Sequence, residues 1–183
     1  MSKTILVSAT PLEHGGLTEL NRFPIFQVGI GKINSAMNLT ELILQEKPDL
    51  IINFGSCGNL KNHKVGEVIE VGTVYNNIDV RPFAPYGCTP GNIPCGLKLS
   101  DSEIRCFTTD QIYDNSRSDY AEKYLEMINE CDIVDMECYS LAYVCKRYGV
   151  DFKSYKWVSD DGNVDSWEEN AAIGFENFKK MLS

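Results

Sequence analysis

Apolar positions change their period several times along the chain, and each change marks an element. Thr4 to Ala9 is a short β-branched, apolar run closed by Thr10-Pro11, which predicts a buried strand and then a loop. Ile25-Phe26-Gln27-Val28 predicts a second strand, and Gly29-Ile30-Gly31 a tight turn. Asn34 or Ser35 suits a helix N-cap. From there Ala36, Met37, Leu39, Leu42 and Ile43 recur at helical spacing until Pro48. Asp49 to Phe54 reads as another buried strand, followed by a glycine-bracketed loop, Gly55-Ser56-Cys57-Gly58. Val65 to Tyr75 is β-rich with bends at Gly66 and Gly72, and Arg81 to Pro94 reads as a proline-rich surface loop. Ile104 to Thr109 predicts a short strand and Asp119 to Glu130 an amphipathic helix. Ile133-Val134-Asp135 ends a strand that leads into a helix over Glu137 to Arg147. Phe152 to Val158 alternates as a strand, Asp160-Asp161-Gly162-Asn163 reads as a turn, and Trp167 to Leu182 as a final amphipathic helix. Strands alternate with helices and no linker interrupts them. The expected fold class is therefore α/β: a single domain over residues 1–183, with a mixed β-sheet flanked by helices.

Composition narrows the partners. Hydrophobic residues make up 43% of the 183, enough for a real core. The formal net charge of -9 repels phosphate backbones, so no nucleic-acid partner is expected, whereas a small nucleoside is compatible. No apolar run reaches membrane-spanning length, and Met1 to Val7 lacks the pattern of a signal peptide. A cytoplasmic protein without a membrane partner is expected. The seven cysteines are odd in number and form no C-x-x-C pair, which favours free buried thiols over a disulfide framework. With only two histidines, His14 and His63, neither a metal nor another cofactor is expected.

Four polar clusters fall at the C-terminal ends of predicted strands: Thr10-Pro11-Leu12-Glu13, Gly55-Ser56-Cys57-Gly58, Asp135-Met136-Glu137 and Ser159-Asp160. In an open α/β sheet, ligands bind beyond these ends. Each cluster alone has a plainer reading. Glu13 would be a solvated loop acid, Asp160 a turn or cap residue, Glu137 a carboxylate at a helix N-terminus, and Met136 core filler. Their convergence is the stronger signal.

The same residues carry a family resemblance. Gly29-Ile30-Gly31-Lys32, the run from Lys47 to Gly58, and Val65-Gly66-Glu67-Val68 resemble the nucleoside phosphorylase/nucleosidase superfamily. Val134-Asp135-Met136-Glu137, Ala142-Tyr143-Val144-Cys145 and the run from Tyr155 to Asp160 continue the match in the same order. Within the superfamily the chain is most similar to the 5'-methylthioadenosine/S-adenosylhomocysteine nucleosidases. The resemblance implies a nucleoside phosphorylase-like fold and a role for each matching position. Asp160 would protonate or hydrogen-bond purine N7, and Glu13 would deprotonate the attacking water. Glu137 would bind the ribose hydroxyls, with Met136 against the sugar. Ser56, Cys57 and Gly58 would line the sugar–base pocket beside Ser159, with Ile30 close by. The backbone near Ile112 and Tyr113 would face the purine edge. Phe83 would reach the 5' group of a neighbouring subunit's substrate, which implies a homodimer.

Chemistry supports these roles. Cleaving an N-glycosidic bond builds an oxocarbenium-like sugar, which needs an acid on the leaving base and a base on the water. A raised pKa is expected for Asp160 in a dry pocket. The related phosphorylases hold phosphate with arginines in the first loop and just before the Gly-Ser-Cys-Gly run. Here those positions are Glu13 and Asn53, which points to water as nucleophile. Three departures stand out. Lys156, which the resemblance places among the substrate-binding residues, replaces an arginine and keeps its charge without the planar fork; Ile112 replaces a phenylalanine that stacks on the purine, and Leu97 to Thr108 is too short for one peripheral helix. The alternatives are a phosphate-dependent phosphorylase of the same fold and a non-catalytic nucleoside-binding protein.

Overall fold

The structure is a computed structural model that describes residues 2–91, 93–160 and 167–183. The expected turn at Asp161-Gly162-Asn163 lies outside these residues. The strands are β1 (Thr4–Ser8), β2 (Glu19–Leu20), β3 (Phe23–Gln27), β4 (Leu50–Asn59), β5 (Val68–Glu70), β6 (Thr73–Asn76), β7 (Gly96–Lys98), β8 (Arg105–Thr108), β9 (Ile133–Asp135) and β10 (Asp151–Asp160). The helices are α1 (Lys32–Glu46), α2 (Glu122–Glu130), α3 (Cys138–Tyr148) and α4 (Trp167–Leu182). The α/β expectation holds: the strands form one mixed sheet ordered β2-β3-β1-β4-β9-β8-β6-β7. β10 pairs with the other side of β4 and carries β5 at its far edge.

The two-residue period of the strands sorts the core. Ile5 and Val7 of β1 pack with Leu39, Leu42 and Ile43 of α1 and with Leu141 and Val144 of α3. Leu6 of β1 points the opposite way, to Phe54, Trp157, Phe175 and Phe178 under α4. Burying one such side chain contributes about 1.5–3 kcal/mol. α2 covers a further cluster through Tyr124 and Ile128, which pack near Phe107 of β8.

β4 is the strand that makes the site. Along one edge it pairs in parallel with β1 at Leu50 to Asn53, then antiparallel with β9 at Gly58 and Asn59. Between those two pairings the edge is open, and the cavity forms there. The expected Gly55-Ser56-Cys57-Gly58 loop is corrected accordingly: these residues belong to β4, because β10 pairs with each of them on the opposite edge, with one register shift before Asp160.

Two other expectations change. α1 begins at Lys32 with Gly31 as its N-cap at φ 84°, a conformation that suits glycine, so neither Asn34 nor Ser35 caps it. Ser35 sits in the first turn, where its hydroxyl donates back to Gly31 O at 2.8 Å and lies 2.7 Å from Ser140 Oγ of α3. Cys88 and Cys95 form a disulfide inside the proline-rich loop, while Cys57, Cys106, Cys131, Cys138 and Cys145 are free and buried. Residues 99–104, between β7 and β8, contain no helix, as the short spacing implied. No helix among the described residues is long and apolar enough to cross a membrane.

Candidate active site

A cavity of about 330 Å³ occupies the opening beside β4. Eleven of the thirteen expected site residues line it: Glu13, Ile30, Ser56, Cys57, Gly58, Ile112, Tyr113, Met136, Glu137, Ser159 and Asp160. Phe83 and Lys156 do not. No lysine, arginine or histidine lines the cavity among the described residues, whereas Glu13, Asp135, Glu137 and Asp160 all do.

Glu13 is held through both of its carboxylate oxygens. It sits in a short 3₁₀ turn, Pro11–His14, whose first residue is a proline with pre-set backbone. Its Oε2 accepts hydrogen bonds from the Ala9 and Thr10 amides at 2.9 and 3.2 Å. Its Oε1 accepts from the Ser56 amide at 2.8 Å and the Ser56 hydroxyl at 2.9 Å. The open edge of β4 leaves that Ser56 amide available. The donors fix its orientation. His14, next in sequence, does not line the cavity; burial lowers its pKa below 6.5, which keeps the ring neutral.

Asp160 enters from the end of β10, where the pairing with β4 shifts register between Val158 and Asp160. Asp160 as a residue is 7% exposed. The Ser159 hydroxyl donates to Asp160 Oδ2 at 2.8 Å. Gly58 leaves room for it: a Cβ there would lie 3.4 Å from Asp160 Oδ1 and 2.9 Å from Val134 Cγ1. Cys57 lies between these groups, and burial pushes its thiol pKa up, so it is no thiolate nucleophile.

Glu137 follows β9 and precedes α3. Its Oε1 accepts from the Gly31 amide at 2.9 Å, so the Gly29-Ile30-Gly31 turn serves as backbone close to the site. Burial pushes its pKa up to about 8, against the pull of Lys156. Lys156 corrects an expectation. It was expected against the substrate, yet its ammonium lies behind the cavity wall, fully buried, 2.8 Å from Asp135 Oδ2. Burial opposes that charge, but Asp135 and Glu137 hold its pKa well above the usual lysine value. For Asp135, burial alone would raise the pKa. Lys156 and the hydrogen bonds from Thr108 and the Cys138 amide hold it below the usual carboxylate range. Cys106, Asp135 and Cys138 lie close enough together to ligate a metal, but the Lys156 ammonium already pairs with that carboxylate.

The third wall comes from the segment after β8: Thr109, Gln111, Ile112 and Tyr113. Ile112 is 57% exposed, so it offers edge contact rather than a closed lid. Tyr113 stacks on Tyr120, with ring centroids 5.7 Å apart, which anchors this wall to the region ahead of α2. Phe83 is 82% exposed on the proline-rich loop and does not line the cavity of its own chain. Asn53, expected to mark the phosphate position, is locked in the core by Val7 O and Ser154.

A sequence model of the phosphorylase superfamily matches residues 14–92 and 102–183. The chain belongs to the phosphorylase superfamily. Among superfamily proteins, it is 30% identical to a 5'-methylthioadenosine/S-adenosylhomocysteine nucleosidase of Exiguobacterium sp., over 87% of this chain and 74% of the relative. Two solved structures from Helicobacter pylori share the fold. One is a mutant nucleosidase with 5'-methylthioadenosine in its active site, with TM-score 0.82, 18% identity, and coverage of 100% and 98% of the two chains. The other is a futalosine hydrolase, with TM-score 0.81, 18% identity, and coverage of 99% and 97%.

Several wall residues of this superfamily member were not among the expected site residues. Thr10, Val134 and Asp135 lie within the clusters and motifs already quoted, and Gln111 adjoins Ile112, but Ala9, Thr109 and Trp167 carried no separate site signal. Trp167 was expected only as the first residue of an amphipathic helix. It reaches the site from α4, and its indole Nε1–H donates to Ser56 Oγ at 2.9 Å.

Proposed function

We propose that this chain hydrolyses the N-glycosidic bond of a purine nucleoside or 5'-thionucleoside of the methylthioadenosine/S-adenosylhomocysteine kind. One observation carries the choice of nucleophile. The described cavity walls hold four carboxylates and no cationic side chain, with Glu13 anchored by four donors. Two like unit charges at 4 Å repel by about 4 kcal/mol at an effective dielectric of roughly 20. Inorganic phosphate would meet that repulsion at Glu13 with no cationic side chain among the described cavity walls to offset it, whereas neutral water would not.

In this mechanism the substrate lies with its base between Asp160 and the 111–113 wall, and its ribose near Glu137 and Met136. Asp160 delivers a proton or a hydrogen bond to N7 and makes the purine a better leaving group. The C1'–N9 bond lengthens and positive charge builds on the sugar, where the anionic walls stabilise it. Glu13 takes a proton from the water that attacks C1'. Glu137 holds the ribose hydroxyls. The products are free purine and the corresponding ribose or thioribose. The enzyme works as a cytoplasmic homodimer in this reading. The apolar side chains of Phe83 and of Ile33 and Met37 on α1, all exposed in the single chain, support it.

The test is release of free base from methylthioadenosine, S-adenosylhomocysteine, adenosine, inosine and futalosine, with and without phosphate. Release independent of phosphate is expected. Release only with phosphate would overturn hydrolysis, and no release from any substrate would overturn the enzyme assignment.

A further inference from the structure

We infer that Trp167 is a positioning residue that sets the direction of a hydrogen-bond chain running from its indole through Ser56 to Glu13. The inference rests on the role proposed for Glu13. Three of the four donors on Glu13 are backbone amides, of Ala9, Thr10 and Ser56, and cannot turn. The fourth, the Ser56 hydroxyl, rotates about its C–O bond and has one proton. An indole N–H donates and never accepts. With Trp167 Nε1 at 2.9 Å, Ser56 Oγ is the acceptor on that side. Its own proton is then directed to Glu13 Oε1, also at 2.9 Å. Trp167 therefore keeps the one adjustable donor pointing at the carboxylate that receives the water's proton.

Trp167 suits the task because it is anchored from two sides. It is the first residue of α4, and that helix is fixed to the end of β10 by Asn170, whose side-chain amide donates to Ser159 O at 2.7 Å. The same helix closes on Trp157 at Gly174, where an added Cβ would fall 1.9 Å from the Trp157 ring. The chain thus ties α4 to the β4 edge and to the 3₁₀ turn that bears Glu13. A phenylalanine at this position would keep the cavity wall and lose the donor.

Two measurements test this. In base-release kinetics, Trp167→Phe is expected to lower kcat roughly 3- to 10-fold with KM within about 2-fold, the scale of one hydrogen bond. In a Ser56→Ala background the same change is expected to have no further effect, because the link is already cut. The second measurement does not need turnover. The protein has two tryptophans, so its indole N–H NMR signals are two, and Trp167→Phe assigns one of them. That signal is expected to move on Ser56→Ala and on Glu13→Gln, with the Trp157 signal as internal control. An unchanged kcat in Trp167→Phe, full additivity with Ser56→Ala, or an indole signal indifferent to Glu13→Gln would overturn the inference. A wild type that releases no base would overturn the proposed reaction instead, and the NMR arm would still decide whether the chain exists.

Discussion

Gly55 and Glu13 are mutually fitted: a Cβ on Gly55 would lie 2.7 Å from Glu13 Oε1. Glycine stands there because a carboxylate comes in against the strand. The atom it would strike is the far end of a side chain, so the backbone of Gly55→Ala can stay in place while Glu13 moves. Misplacing a catalytic group by about 1 Å costs on the order of 10²-fold in rate. Gly55→Ala is therefore expected to lose kcat on that scale. A lost hydrogen bond of about 1 kcal/mol lowers Tm by only about 2–4 °C in a chain of this size. Kinetics and a melting curve on one preparation check both parts. Normal kcat would show that the carboxylate's position is unimportant.

Glu13→Gln and Asp160→Asn separate the two ends of the reaction. In Glu13→Gln the new side-chain amide must turn its NH2 group toward backbone N–H donors on one side or the other, because both oxygens of Glu13 accept from amides. The variant loses the base and one anchor together. Asp160→Asn keeps the shape and loses the acid. Each is expected to lower kcat by orders of magnitude, roughly 10²- to 10⁴-fold for a general acid or base. Near-normal turnover in either variant would overturn its assigned role.

How far the sequence could be read depended on whether the cause was local. Trp167 to Leu182 was legible as a helix because amphipathic spacing is a property of the segment itself. The polar clusters were legible because they follow strand ends in the chain. Gly55 to Gly58 read as a loop because glycine is rare in strands, and the real reason for Gly55 is a side chain forty-two positions earlier. The pairing of Lys156 with Asp135 crosses from β10 to β9, and nothing in either segment announces it. The same is true of Trp167 and Ser56, 111 residues apart. The cysteine count favoured free thiols and gave no sign that Cys88 and Cys95 would meet across a tight loop.

That disulfide leads to a direct count. Alkylation of the denatured, unreduced protein is expected to modify the five free cysteines, and all seven after reduction. Mass spectrometry of the peptide spanning 88–95 reads the difference. Seven labels without reductant would show that the bridge does not form.

Glu137 predicts a pH dependence of stability. Its folded pKa, pushed up to about 8 by burial, lies above the 4.5 of an ordinary glutamate. The folded chain therefore holds this proton longer than the unfolded one. The stability tied to it is fully present below about pH 4.5 and is lost as pH rises through about 8. His14 acts in the opposite sense. Burial lowers its pKa from 6.5, so its contribution is present above pH 6.5 and lost as pH falls. Asp135, with its lowered pKa, matters below this window and Lys156 above it. The difference between wild type and Glu137→Gln isolates one group. Relative to wild type, the variant is expected to gain stability steadily from pH 5 to pH 8 in denaturant titrations. A constant difference across that range would refute the assignment.

The buried pair of Lys156 and Asp135 gives the largest expected stability effect. Both side chains are at most 2% exposed and 2.8 Å apart, and Asp135 also caps α3 through the Cys138 amide at 2.8 Å. Lys156→Met keeps the side-chain length and leaves the carboxylate without its cation. Breaking such a pair from one side typically costs about 3–5 kcal/mol, because a buried charge is left uncompensated. Replacing both partners removes that charge. Asp135→Asn with Lys156→Met is therefore expected to be more stable than Lys156→Met alone, though the asparagine side chain must still accept from Thr108. Urea midpoints of the wild type, the two single variants and the double variant complete the cycle. If the double variant is no more stable than Lys156→Met, the ion pair is not what the lysine supplies. Its packing among the strands would then be the contribution that matters.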